Sequence, residues 1–221
     1  MEQKKITQKD YIVDGKEFEP FIRESDVLLR NDEYIVIHLD GVHFTSGFFR
    51  NFPKEKKKKV FDCLVNATKT MCNYFKSSRV AYVYGDEVSI ILQGDLVKEN
   101  YNNRIQKLCS IVSGFLSVKL IEELNKINDA AFSEFINNCF FAAKTYNIPF
   151  HLVNDYLKWR LVGCKKLIFD KKLDFNKCES WEQYGAIITY DNNVWVSENI
   201  DFRQFKFQKS PQSEYFRINK S

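Results

Sequence analysis

Tyr34-Ile35-Val36-Ile37-His38-Leu39-Asp40-Gly41 and Val80-Ala81-Tyr82-Val83-Tyr84-Gly85-Asp86-Glu87-Val88-Ser89-Ile90-Ile91-Leu92 are β-rich apolar runs, each carrying a carboxylate beside a glycine. The first predicts a strand over 34–39 that ends at Asp40. The second is interrupted by Gly85-Asp86-Glu87 and reads as two strands, 79–84 and 88–92, joined by a very short turn. An unpaired carboxylate is expensive among buried apolar strands. Two strand-edge acids brought side by side would instead make a divalent-metal site.

Working outward, Pro53 suits the first turn of a helix. Apolar residues at 60, 61, 64, 65, 68, 71, 72 and 75 repeat at helical period, which predicts an amphipathic helix over 53–76. Ile105, Leu108, Cys109, Val112, Phe115, Leu116, Leu120 and Leu124 predict a second, over about 99–126. Asn138-Cys139-Phe140-Phe141-Ala142-Ala143 reads as a fourth strand, stopped near Pro149. The order is βαββαβ, the split arrangement of a ferredoxin-like sheet, with helices on one side and the other open to a substrate. The expectation is an α+β protein: an N-terminal arm over 1–33, a palm-like catalytic domain over 34–150, and a C-terminal extension over 151–221. That extension comprises a short helix (151–163), a charged connector (165–180), a hairpin turning at Asp191-Asn192-Asn193 and a basic, aromatic tail.

At 221 residues, with 20 Phe and 11 Tyr against 8 Gly and 4 Pro, the chain has material for a sizeable core. A net charge of +4 permits a polyanionic partner without demanding one. The 6 cysteines include no C-x-x-C pair and read as reduced core thiols. The start of the chain has no apolar leader, and no run approaches ~18 uninterrupted apolar residues. A cytoplasmic protein with no membrane partner is expected.

In a βαββαβ sheet the first strand lies beside the hairpin, so Asp40 comes next to Asp86 and Glu87. Taken singly these are ordinary turn residues; together they suit Mg²⁺, which takes few carboxylates and adds phosphate oxygens. Two such ions activate an attacking oxygen and stabilise a leaving pyrophosphate. Gly41 would let a triphosphate approach the backbone, with N–H groups of Val42, His43 and Phe44 turned toward it. His43 reads as a phosphate or base contact, or as a hydrogen-bonded loop residue; His38 reads as structural. Lys54 and the run from Lys56 to Lys59 open a helix where the dipole disfavours cations. A phosphate would explain them, and so would a solvated helix face.

Ile35 to Phe44, with its Asp40-Gly41-Val42-His43-Phe44, resembles the first motif of the tRNA(His) guanylyltransferase and Thg1-like family. Tyr84-Gly85-Asp86-Glu87-Val88-Ser89 is similar to its second, Asp155-Tyr156-Leu157-Lys158-Trp159-Arg160 to its Asp-Tyr-x-x-Trp-Arg helix, and Tyr184 to Tyr190 to its late hairpin. The resemblance implies nucleotide addition to the 5′ end of tRNA or a related RNA, in the 3′→5′ direction, with ATP or GTP as substrates. It implies Asp40, the Gly41 carbonyl and Asp86 as ligands of Mg²⁺ (two ions) and Glu87 as an assisting carboxylate. Val42, His43, Phe44, Lys54, Lys57, Lys58 and Ser89 would hold the nucleotide, and Lys144, Lys158, Trp159 and Arg160 the RNA. It also implies a homo-oligomer, a tetramer. The chain departs from the family pattern at Phe141-Ala142-Ala143-Lys144, which lacks an acid, and after Arg160, where Leu161-Val162-Gly163-Cys164-Lys165-Lys166 replaces a run with Asp, His and Asn. The resemblance therefore speaks to the chemistry before the RNA. Two alternatives stand beside it: a palm-type nucleotide cyclase, and a non-catalytic RNA- or nucleotide-binding protein. Mutual repulsion of Asp40, Asp86 and Glu87 in the absence of a metal argues against the second.

Overall fold

The computed structural model describes residues 29–30, 33–44, 51–102, 104–170, 174–201, 207–209 and 216–218, with backbone alone at 98–100, 164–170, 207–209 and 216–218. The expected N-terminal arm, apart from 29, 30 and 33, and the side chains of the expected basic, aromatic tail lie outside these residues.

β1 (Tyr34–Gly41), α1 (Lys54–Tyr74), β2 (Ser78–Tyr84), β3 (Glu87–Gln93), α2 (Gly94–Tyr101), α3 (Ile105–Ile127), α4 (Ser133–Asn137) and β4 (Phe141–Ile148) complete the βαββαβ unit. α5 (Val153–Asp170), α6 (Ser180–Tyr184), β5 (Ala186–Asp191), β6 (Val194–Glu198), β7 (Phe207–Lys209) and β8 (Phe216–Ile218) follow. One antiparallel sheet runs in the order β4-β1-β3-β2-β5-β6, and β7 pairs separately with β8. The α+β, palm-type architecture expected from the strand pattern is present.

Alternation along the strands splits the core in two. Ile35, Ile37 and Leu39 of β1, Ala81 and Val83 of β2, and Val88, Ile90 and Leu92 of β3 pack against α1 and α3. There they meet Val60, Leu64 and Met71, and Leu108, Val112, Leu116, Leu120 and Leu124. The other face carries Val36, Val80, Tyr82, Ile91 and Ile187, which are apolar and need cover as well. α5 supplies it with Val153, Tyr156, Leu157 and Leu161. The second face is therefore not open along its whole length, as the βαββαβ pattern alone suggests. A helix lies across its middle.

Three boundaries differ from the sequence reading. The helix expected over 99–126 is two, α2 and α3, parted where Asn102 takes φ +52; asparagine tolerates that left-handed geometry and ends a helix there. β4 starts at Phe141 rather than 138, because Asn138 caps α4 with its side-chain amide on the Glu134 carbonyl at 2.9 Å. α5 continues to Asp170, into the first part of the supposed connector. The late hairpin turns on Asn192 and Asn193 at φ +47 and +66, the geometry of a type I′ turn.

Cys63, Cys72 and Cys139 are buried, Cys109 and Cys178 partly so, and all five are free thiols. No helix among the described residues is long and apolar enough to cross a membrane.

Candidate active site

The two acid-bearing segments meet at one corner of the sheet. β1 runs antiparallel to β3 with Asp40 opposite Glu87, and the Gly41 N–H donates to the Asp86 carbonyl at 3.1 Å. Gly85 and Asp86 form the whole loop of the β2–β3 hairpin, with Tyr84 opposite Glu87. Gly85 has φ +58, a conformation that glycine supplies cheaply at the first central position of a type II′ turn. A two-residue loop leaves Asp86 and Glu87 no slack relative to β1. Asp40 is exposed.

Asp40, His38 and Val36 share a face of β1, the face beneath α5. Along it the sheet forms rungs. One joins Ala142, Asp40 and Glu87; the next joins Lys144, His38 and Ser89. The Arg160 guanidinium of α5 forms an ion pair with the Glu87 carboxylate. On the second rung His38 Nδ1 lies 3.2 Å from Ser89 Oγ, which is 2.9 Å from the Tyr156 hydroxyl. Burial, then the charges of Arg160 and Lys144, push the His38 imidazole down to about 4, so it is neutral near pH 7. Burial raises the Tyr156 hydroxyl well above the ordinary range, which keeps it a neutral hydrogen-bonding group.

Other candidates lie elsewhere. Phe44 is fully buried, its ring edge-on to Phe135 and Phe141 at 4.8 and 5.1 Å. That ring occupies the space a Cβ on Gly41 would need, at 2.5 and 2.6 Å from its nearest atoms. The glycine is thus required on this side by Phe44, not by a ligand. The Val42 N–H donates to the Phe140 carbonyl at 3.0 Å, which uses one of the amides expected to face phosphate. His43 is exposed at φ +61. Ser89 is buried under α5.

Lys54 bridges Glu179 and Glu182 at 3.1 and 2.8 Å, and Lys58 pairs with Asp62 at 2.6 Å. These carboxylates account for two of the lysines that either a phosphate or a solvated helix face would explain. The hydrogen bonds that Lys54 donates to Glu182 and Glu179 raise its ammonium above its ordinary value. Lys57 and Lys158 are half-buried, on α1 and α5. Trp159 is 61 % exposed, beside Tyr156 and beneath the Arg160 guanidinium.

The sequence reading missed several partners of these residues. Glu179 and Glu182 form a capping box around α6; the signal was Glu179-Ser180-Trp181-Glu182, with acids three apart at a helix start. The Tyr156–Ser89–His38 chain had no local signal, because it joins three elements. Relief of repulsion between Asp40 and Glu87 was also assigned to a metal, whereas Arg160 already supplies a cation. Among the described residues, no group of three or more His, Cys, Asp or Glu side chains gathers closely enough to hold a metal by itself.

Comparison with known proteins agrees with this architecture. A bacterial tRNA(His) guanylyltransferase (Thg1)-like protein in complex with GTP superposes with a TM-score of 0.66, at 17 % identity over 84 % of this chain and 90 % of that one. The same kind of protein in complex with ATP gives 0.67 at 16 % identity, covering 84 % and 91 %. The tRNA(His) guanylyltransferase of Saccharomyces cerevisiae gives 0.60 at 16 % identity, covering 83 % and 97 %. At these identities the likeness shows the fold. An uncharacterized protein of Acanthamoeba polyphaga mimivirus is 29 % identical over 114 residues, 48 % of this chain and 38 % of that protein, so the match spans well under half the length of that relative. Residues 14–149 match the profile of the Thg1 family, tRNAHis guanylyltransferase. The chain therefore belongs to the Thg1 family of tRNAHis guanylyltransferase-like nucleotidyltransferases.

Proposed function

We propose that this protein is a divalent-metal-dependent nucleotidyltransferase that adds nucleotides to the 5′ end of tRNA or a related RNA, in the 3′→5′ direction. The observation that carries the proposal is the corner where Asp40 faces Glu87 and Gly41 is hydrogen-bonded to Asp86. The donor set there fits Mg²⁺: two carboxylates, Asp40 and Asp86, and the Gly41 carbonyl, with the remaining positions left to water and phosphate oxygens. Mg²⁺ bound at such a corner, as two ions, would supply Lewis-acid stabilisation of the charge that builds on a leaving pyrophosphate.

The residues themselves do the positioning. The two-residue turn holds Asp86 against β1, and Asp40 is exposed where a triphosphate arrives. His43 and Lys57 lie on the segments that follow β1, and exposed Lys144 brings positive charge to the same face, suited to an RNA backbone, while Arg160 is engaged by Glu87. The 3′-hydroxyl of an incoming nucleotide attacks the activated 5′ phosphate of the RNA. A P–O bond forms, the bond to the leaving group breaks, and the hydroxyl proton passes to solvent. The GTP and ATP complexes of the bacterial relative support nucleoside triphosphates as substrates. A cytoplasmic homo-oligomer, a tetramer, is part of the same reading.

The test is incubation with Mg²⁺, labelled nucleoside triphosphates and tRNA bearing a 5′-monophosphate or 5′-triphosphate, comparing wild type with Asp86→Ala. Label at the RNA 5′ end in wild type alone supports the proposal. A cyclic nucleotide made without RNA would replace it with the cyclase reading. RNA binding with no turnover of any nucleotide would replace it with the non-catalytic one.

A further inference from the structure

Asp40 and Glu87 are direct partners on adjacent strands and point to the same face. Such partners have Cβ atoms about 5 Å apart, and like charges there repel. A cation beside them relieves that repulsion, and the fold provides one. Arg160 reaches from α5 to the Glu87 carboxylate, with side-chain exposures of 18 % and 33 %, so the pair is partly withdrawn from water and less screened than an exposed one.

The guanidinium is itself held in place. It lies 5.0 Å over the Trp159 ring, a cation–π contact. α5 is anchored by buried Leu157 and Leu161 and by the Tyr156 hydroxyl, 2.9 Å from Ser89 on the neighbouring rung. Glu87 thus faces a preset cation on the α5 side of the corner.

We infer that Arg160 is a positioning residue that holds Glu87 out of the metal shell, leaving Asp40 and Asp86, among the described residues, as the side-chain donors at this corner. The inference rests on the metal-centre reading above and sharpens it. Glu87 is not a third ligand; it is the anchor through which α5 fixes the turn carrying Asp86. Lysine does not replace Arg160 well, because the planar fork both grips a carboxylate and contacts the indole face, whereas an ammonium is a point charge.

The test is Mn²⁺ binding, by calorimetry and by the electron paramagnetic resonance of free Mn²⁺, without nucleotide or RNA. Asp86→Asn weakens binding by about tenfold or more, as loss of a charged donor should. Glu87→Gln stays within about threefold of wild type, because it removes no donor. Arg160→Gln frees the Glu87 carboxylate to join the ion and tightens binding by about three- to tenfold; the double variant Arg160→Gln/Glu87→Gln returns to the wild-type value. Arg160→Lys falls between wild type and Arg160→Gln. Urea midpoints of the same variants separate these changes from loss of fold. A Glu87→Gln variant as weak as Asp86→Asn, or an Arg160→Gln effect that persists in the double variant, overturns the inference alone. Wild-type protein that binds no Mn²⁺ overturns the metal-centre reading and this inference with it.

Discussion

Replacing Gly41 by alanine tests whether the acid-bearing corner is built on the aromatic core beneath it. The added Cβ would lie 2.5, 2.6 and 2.9 Å from Cδ2, Cγ and Cε2 of Phe44. Carbon atoms settle at about 3.5–4.0 Å, so the ring has to retreat by about 1 Å. It has nowhere to go, being fully buried with Phe135 and Phe141 at its edges. Gly41 does not occupy the left-handed region, so backbone strain adds nothing and the cost is steric. Overpacking of this kind costs about 1–3 kcal/mol, a fall in Tm of about 2–12 °C for a chain of this size. Urea unfolding followed by circular dichroism reads it as a lower midpoint at unchanged m. A cycle with Phe44→Ala isolates the cause. That change costs about 3–5 kcal/mol alone, but in its background Gly41→Ala should cost nothing, a coupling of about 1–3 kcal/mol. Additive effects would refute the reasoning. So would a Gly41→Ala protein of native stability that fails only in nucleotidyl transfer, which would mean the glycine serves ligand approach instead.

Other glycines separate strain from space. Gly114, mid-helix in α3 with open space where a Cβ would go, should gain about 0.5–1 kcal/mol as alanine. Gly85 has equal space but φ +58, so Gly85→Ala should lose about 1 kcal/mol in the same urea assay. Arg79 is 1 % exposed and donates to Gln93 Oε1 at 2.8 Å and to the Lys76 and Ser78 carbonyls at 3.0 and 2.8 Å, beside a register shift in β2. Arg79→Met keeps the bulk but orphans those acceptors, and should destabilise by about 2–5 kcal/mol in urea. Burial pushes the Cys72 and Cys139 thiols up to about 12 and Cys63 to about 11. At pH 8 their reaction with an aromatic disulfide reagent should be at least about a hundredfold slower in native than in urea-unfolded protein. Because the unfolded chain loses these protons first, stability should fall as pH rises from the ordinary thiol value of about 8.5 toward 12.

The fold was legible because two periods announced themselves. Strict apolar runs bounded by Asp40-Gly41 and Gly85-Asp86 fixed three strands, and Val60 to Phe75 repeated at helical spacing. What hid was long-range. Nothing near Lys54 says that Glu179 and Glu182 will fold back on it, since over a hundred residues separate them. Ser89 reads as a polar site residue beside Glu87 in sequence, yet strand alternation beneath a later helix buries it against Tyr156. The α2–α3 break was masked because Ile105 to Leu124 keeps one period and Asn102 breaks only the backbone.

The misreading of Ser89 has its source in α5. A βαββαβ sheet has one face that its own helices cover, and the residues of the other were read as substrate-facing because nothing within 34–150 covers them. Val36, Val80, Tyr82, Ile91 and Ile187 are too apolar for a wet face, and burying side chains of that size contributes about 1.5–3 kcal/mol each. The helix that covers them also carries Tyr156 onto Ser89 and Arg160 onto Glu87. The burial that completes the core therefore sets the charge at the acid corner. A helix displaced by one turn would lose both the apolar contacts and the ion pair, so in this fold the site and the second core stand or fall together.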